Sequence, residues 1–379
     1  MAKKSRKNVG IIGLGIIGAR VAQGLRSAGF QVFVWNRTAK PAPNFLGSPV
    51  EVAEICDVVQ IFVADSQALF QVIDAFGGAL TENHVIVCSS TVGPEATMEA
   101  ARLVRAKGAR FLDAPFTGSK LAAEKQQLVY YIGGDDATFK KAEPMLKASS
   151  KAIIRCGETG HAAVLKVATN MITAVTTQTL AEALALVMKA GLSPATFAAA
   201  VENNACRSGT TDIKLPKMAS GDYEPHFSLK HMFKDVQLAI HMANALDIEV
   251  PATTVTAGVM YGALNHGWSE LDFASVFKLY DGAFPKRKVE PAQIEAPKTK
   301  PAADVPDTKE TTVKADGETK PMEVVSDVPR NAKPAGDATP DEAKSAGKPE
   351  PEANSGEPGD DGKGKPFNRI KRFFSPSAK

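Results

Sequence analysis

Two polar side chains four residues apart interrupt the stretch GETGHAAVLKVATNM (157–171), which is otherwise rich in Ala and Val. They are Lys166 and Asn170. In an α-helix, positions i and i+4 lie one above the other on a single face. Burying an unpaired ammonium is costly, so a lysine on an apolar helix needs a reason. One chemical reason is available. An ammonium within hydrogen-bond reach of a carbonyl oxygen can stabilise negative charge building there and then protonate it. Moving a lysine out of water also lowers its pKa towards neutrality, which suits reversible proton transfer. A lone lysine of this kind is ordinarily a snorkelling residue on an exposed helix. The neighbouring motifs distinguish it.

The second chemistry-bearing stretch is VGIIGLGIIGAR. Gly13, Leu14, Gly15, Ile16, Ile17 and Gly18 form G-x-G-x-x-G between a strand-like run and a helical pattern. In that setting the first glycine permits a tight turn and the second lets backbone approach a pyrophosphate. The third allows close helix–strand packing, and the helix N-terminus attracts phosphates. About twenty residues on, a cofactor without a 2′-phosphate would usually meet Asp or Glu. This chain has Asn36, Arg37 and Thr38 instead. A guanidinium can pair with a 2′-phosphate bidentately. NADP(H) is therefore preferred, with NAD(H) left open.

The elements that would position these groups follow from periodicity. NVGIIG, QVFVWN, VVQIFVAD, HVIVCSS, ARFLDAP and LVYYIGG read as strands, and the amphipathic segments between most of them read as helices. Repeated alternation implies an α/β fold with a parallel, doubly wound sheet. Val63 and Ala64, at the carboxyl end of the third run, would line the crevice where such sheets bind cofactor. From about His161 to Lys189 one long helical pattern runs to Gly191, and SPATFAAAVENN restarts a helix with Ser193 as N-cap and Pro194 at N1. Residues 228–247 and 269–280 also read as helical. The expected order is a dinucleotide-binding domain over 1–160, an all-α C-terminal domain over 161–285 for substrate and oligomerisation, and a tail over 286–379.

The chain of 379 residues is 44% hydrophobic and 23% charged, with formal net charge +3, which suits a soluble globular protein. The tail holds 13 of the 24 prolines and nearly balanced charge. Such low-complexity sequence cannot bury enough surface to offset its conformational entropy and is expected to be disordered. Its end, KPFNRIKRFFSPSAK, interleaves basic and aromatic residues and could dock on an anionic membrane or a protein. The neutral balance argues against a nucleic-acid arm. Four well-separated cysteines and no h-region or long apolar span imply a cytoplasmic protein without a membrane span. No His spacing suggests a metal site.

With these residues in view, the chain resembles the β-hydroxyacid dehydrogenase (3-hydroxyisobutyrate dehydrogenase-related) family over roughly residues 8–283. Within that family it most resembles the glyoxylate/succinic semialdehyde reductases. After the glycine turn come SSTVGPEAT (89–97), DAPFTGSKLAAEKQQL (113–128), the Lys166 segment and HFSLKHMFKDVQLA (226–239), in family order. The resemblance implies a Rossmann-type sheet and makes Lys166 catalytic. It also implies that Asn170 orients the substrate or the amine, and that Thr117, Gly118 and Ser119 hold the substrate carboxylate. Thr91 would sit beside the nicotinamide, and Phe227, Lys234 and Asp235 would close the site from the helical side. Phe116 and Thr117 stand where the family has Val and Ser, which adds bulk. Ala162 replaces a common glycine.

The implied activity is NADPH-dependent reduction of small carboxylated aldehydes to hydroxy acids by a homodimer or homotetramer. Oxidation of a 3-hydroxy acid of the 3-hydroxyisobutyrate type with NAD stays open as an alternative. So does a non-catalytic NADP-binding module whose tail recruits partners.

Overall fold

The computed structural model describes residues 8–283, with side chains through Tyr280; the tail reading and its basic–aromatic end lie outside them. Eight strands form one sheet: β1 (Asn8–Ile12), β2 (Gln31–Trp35), β3 (Val58–Ile61), β4 (Val85–Cys88), β5 (Arg110–Asp113), β6 (Phe116–Thr117), β7 (Leu128–Gly133) and β8 (Ser150–Gly157). Their order is β2-β1-β3-β4-β5-β7-β6, with β8 paired to β7. The first five strands are parallel, as the alternation of runs and helices predicts. β7 runs antiparallel to β5 and β6, so the sheet is parallel-rich rather than wholly parallel. β6 is two residues long and β8 has a largely exposed pattern. Neither presents the apolar run that marks a buried strand, and periodicity passes over both.

Helices cover both faces of the sheet. They are α1 (Gly18–Ser27), α2 (Pro49–Ile55), α3 (Ser66–Ala75), α4 (Pro94–Ala106), α5 (Lys120–Glu124) and α6 (Asp136–Lys147). One core layer gathers Ile11, Val21, Leu25 and Leu146; the opposite layer gathers Val52, Ile61, Ile73 and Val104. Because β1 is flanked by β2 on one side and β3 on the other, strand order reverses between β1 and β3. A crevice opens at the carboxyl ends of strands at such a switch point. The glycine turn follows β1 and Phe62–Ala64 follows β3, so both stand at its rim.

The chain then becomes helical: α7 (His161–Lys189), α8 (Pro194–Glu202), α9 (Gly209–Ser220), α10 (Leu229–Ala245) and α11 (Pro251–Asn265), followed by a 3-10 segment, Phe273–Ala283. Ser193 accepts a hydrogen bond from the Thr196 amide, as expected of that cap. α9 and α11 are not evident from the sequence. α9 contains Pro216 and α11 opens with PATTVTAG, both poor in helix propensity. Tertiary packing around Leu184, Leu215, Met232 and Met260 overrides those preferences. Among the described residues, α7 is long and apolar enough to cross a membrane by length and composition alone. Twelve of its residues are nevertheless buried within this fold, polar Lys166, Asn170 and Gln178 among them.

Asp113, at the end of β5, ties α7 to the sheet. Its Oδ2 accepts the amides of Gly160 at 2.9 Å and Ala163 at 3.1 Å, where α7 begins. The helix N-terminus favours a negative charge there. Burial nevertheless dominates and raises the Asp113 pKa from 3.8 to about 7, against the pull of those amides. Between these values the folded state holds the proton more often than the unfolded chain. Stability therefore falls as pH rises from about 4 to 7, each tenfold difference in proton affinity being worth about 1.4 kcal/mol. Asp113→Asn cannot ionise and should flatten that slope, which urea unfolding at pH 5 and pH 8 measures.

Candidate active site

The glycine turn is shaped by close contact on two sides and openness on a third. Gly13 has φ +96°, and a Cβ there would stand 2.0 Å from the Phe62 carbonyl oxygen. A Cβ on Gly18 would stand 2.0 Å from the Gly13 carbonyl oxygen. At Gly15 no atom lies within 4 Å of an added Cβ, so the turn presents bare backbone to open space. That combination fits a pyrophosphate approaching the N-terminus of α1.

On one side of the turn, a groove of about 600 Å³ is lined by residues including Gly13, Gly15, Asn36, Arg37, Thr38 and Lys40. Arg37 is exposed and makes no ion pair with any described residue. Asn36 is used in shaping the turn. Its Oδ1 accepts the Leu14 amide at 2.9 Å and its Nδ2 donates to the Thr38 carbonyl at 2.7 Å. Leu14 itself is buried, so this residue positions the turn from behind. Lys40 is a residue that the sequence reading does not single out. Its Nζ donates to the Leu14 carbonyl at 2.8 Å, which puts a second cation beside Arg37 in the groove lining. The only signal is a basic residue three places after Arg37, easily read as solvated.

On the other side, a cleft of about 330 Å³ shares Gly15, Phe62, Val63 and Ala64 with that groove, and Ile16, Ile17 and Gly18 also line it. The helical half contributes Phe227, His231, Lys234 and Asp235, and the loop after β4 contributes Ser90 and Thr91. A chain of polar contacts runs behind this wall. Lys166 Nζ donates to Asn170 Oδ1 at 3.0 Å, and Asn170 Nδ2 donates to Asp235 Oδ2 at 2.6 Å. Asp235 Oδ1 lies 2.7 Å from Lys234 Nζ as an ion pair without the alignment of a hydrogen bond. Lys234 Nζ donates instead to the Thr91 carbonyl at 2.5 Å, joining α10 to the loop after β4.

Burial drives the Lys166 pKa down from 10.5 to about 8; the Asp235 carboxylate opposes that fall and the Lys234 ammonium adds to it. Two ammoniums share one carboxylate, so the cluster carries a net positive charge near the cleft. His231 stacks on Phe227 with centroids 6.2 Å apart, and burial, with Lys230 and Lys234 nearby, lowers its pKa. The segment leading into α10 is held by Asp272. Its Oδ2 accepts the His226 and Phe227 amides at 3.0 and 3.2 Å, while Oδ1 takes the buried Lys214 ammonium at 2.7 Å. Sequence reasoning has no means to find that pair, since its members lie 58 residues apart.

Beyond the glycine turn and the 36–38 segment, expected residues meet around these two connected openings and the network behind them: Val63, Ala64, Thr91, Lys166, Asn170, Lys234 and Asp235. Phe227 lines the same cleft. The 117–119 segment is placed differently. Thr117 lies on β6, and Gly118 turns the chain at φ +133°. The Ser119 hydroxyl accepts the Ala122 amide at the start of α5, at 3.5 Å. From this stretch Phe116 lines the cleft.

Residues 8–157 match the family described as the NAD binding domain of 6-phosphogluconate dehydrogenase. Residues 160–280 match the NAD-binding domain of NADP-dependent 3-hydroxyisobutyrate dehydrogenase. Glyoxylate/succinic semialdehyde reductase 2, chloroplastic, of Arabidopsis thaliana is 32% identical over 286 residues, which span 73% of this chain and 80% of that protein. Glyoxylate/succinic semialdehyde reductase 1 of the same plant is 31% identical, spanning 71% of this chain and 97% of the relative. A crystal structure of 3-hydroxyisobutyrate dehydrogenase from Salmonella typhimurium superposes with a TM-score of 0.67 at 25% identity, covering 72% of this chain and 99% of that one.

The charge of Asp235, one amide away, raises the Lys166 pKa. Asp235→Asn should therefore lower it further below about 8. The pH dependence of Lys166 acylation, followed by mass spectrometry, reads the change directly.

Proposed function

Because the chain belongs to the β-hydroxyacid dehydrogenase (3-hydroxyisobutyrate dehydrogenase-related) family, we propose that it reduces small carboxylated aldehydes with NADPH. It is an NAD(P)-dependent oxidoreductase acting on CH–OH and carbonyl groups. The glyoxylate or succinic semialdehyde class of substrate is taken from the names of the two plant relatives. The observation that carries the reading is the Lys166–Asn170–Asp235–Lys234 chain, which ends on Thr91 beside the opening at the glycine turn.

The dinucleotide, when bound, supplies the hydride that adds to the carbonyl carbon. Lys166 Nζ supplies the proton that the carbonyl oxygen then needs. Asn170 holds that amine in one orientation. Its Nδ2 is committed to Asp235, so its Oδ1 must face the ammonium. The excess positive charge of the cluster favours both an anionic substrate and negative charge growing on its oxygen. In this reading the Thr117 hydroxyl and the backbone N–H groups of Gly118 and Ser119 hold the substrate carboxylate, the Ser119 hydroxyl being taken by its cap, while Asn170 orients the amine. Thr117 Oγ1 has no hydrogen bond to any described residue, which leaves it free for that task. Phe227 and the loop after β4 narrow the cleft and restrict water. Arg37 and Lys40, together in the groove lining, would hold a 2′-phosphate, and two cations there favour NADP(H) over NAD(H).

A homodimer or homotetramer is part of the proposal. Ile172 and Leu186 of α7 are 64% and 73% exposed, apolar surface that a second copy would cover. A cytoplasmic setting agrees with the four unpaired thiols. The alternative, oxidation of a 3-hydroxy acid of the 3-hydroxyisobutyrate type with NAD, takes a different substrate in the opposite direction and uses the same residues with Lys166 as base; assaying both cofactors in both directions separates the two.

Lys166→Ala should lower kcat/KM for reduction by a factor of about 10² to 10⁴. In the unsubstituted enzyme the donating form is the ammonium. The rate of reduction should therefore fall as pH rises through about 8, the Lys166 pKa, while oxidation gains over the same range. Arg37→Ala should weaken NADPH binding about tenfold or more and leave NADH binding nearly unchanged, as fluorescence titration with each cofactor would show. Turnover that survived Lys166→Ala nearly intact would overturn the mechanism.

A further inference from the structure

Lys166 is 8% exposed and does not line the cleft, whereas Phe116 does. The ammonium lies 5.9 Å from the centroid of the Phe116 ring. That ring has little freedom to withdraw. On one side Phe62 packs against it, with centroids 5.8 Å apart and planes at 59°. On another, Tyr130 meets it edge-on at 6.3 Å and 70°. Tyr130 is fully buried, and its hydroxyl is within hydrogen-bond distance of Gln60 Nε2 at 3.2 Å and Ser149 Oγ at 3.1 Å. Pairing of Phe116 with Tyr130 across β6 and β7 fixes the backbone as well. A ring held this way resists rotation, because neighbouring aromatics already occupy the space it would need.

We propose that Phe116 determines specificity: its ring limits the size of the group that a substrate can carry on its carbonyl carbon when that carbonyl meets the Lys166 amine. The inference rests on the proposed reduction of carboxylated aldehydes. In a two-carbon substrate the carbonyl carbon carries the carboxylate directly, with no methylene between. A four-carbon semialdehyde must pass its chain beside the ring. Discrimination by a packed apolar wall of this kind is worth about 10- to 200-fold per methylene-sized change.

The test compares the full chain with Phe116→Val and Phe116→Leu. With NADPH, the ratio of kcat/KM for succinic semialdehyde to that for glyoxylate should rise about tenfold in Phe116→Val and by less in Phe116→Leu. Phe116 is only half-buried and sits on an edge strand, so both variants should fold. A second measurement needs no turnover. Lys166 is acylated with acetic anhydride and with a bulky N-hydroxysuccinimide ester, and labelling is read by mass spectrometry. Phe116→Val should speed the bulky reagent at least fivefold more than the small one, with exposed lysines as controls. A substrate ratio within twofold of the unsubstituted protein, or equal acceleration of both reagents, overturns the proposal. If the unsubstituted protein reduces neither aldehyde, the functional reading fails while the labelling pair still decides the role of the ring.

Discussion

One ammonium must stay close to its charged form while removed from water, and the rest of the site is arranged around that demand. Burial and the neighbouring charges together work against the charged state of Lys166 by about 3 kcal/mol, given a fall from 10.5 to about 8. A carboxylate in direct contact would offset more of that fall and hold the proton more tightly. Asp235 is instead one amide away, with Asn170 between. Its field offsets part of the burial, and Lys234 competes for the same carboxylate. The balance leaves the amine poised near operating pH, where a proton donor is most useful.

The fold keeps this geometry by anchoring the elements that carry it through directional contacts at their ends. α7 starts on the Asp113 carboxylate of β5, so the position of Lys166 along the helix is referred to the sheet. α10 is tied to the loop after β4 through Lys234 and the Thr91 carbonyl. The segment before α10 hangs on Asp272, which is itself neutralised by Lys214. Apolar layers alone tolerate small slides of one element over another. A buried charge with defined donors does not, since losing one partner leaves the other desolvated and unpaired.

Some residue types serve a site from behind rather than by facing into it. Asn36 stands where a cofactor-contacting side chain is expected, yet its amide is occupied by Leu14 and Thr38. Ser119 has a hydroxyl suited to an anion, yet it caps α5. In both cases a local backbone group competes for the same hydrogen-bonding atom, as short polar side chains near turns commonly allow.

The sequence by itself determined the strand–helix alternation of the first half, the glycine turn, the 161–189 helix and the pairing of Lys166 with Asn170. Each of these depends on local spacing, such as the period of a helix or strand, a residue that tolerates positive φ, or an i,i+4 face. Only tertiary structure decided that Asn170 bonds directly to Asp235, that Asp113 caps the helix of that pair and that the Phe116 ring stands beside its amine. It also decided that β7 runs antiparallel and that PATTVTAG is helical. Those outcomes come from contacts between residues dozens of positions apart, whose energies exceed local propensity and leave no periodic trace in the chain.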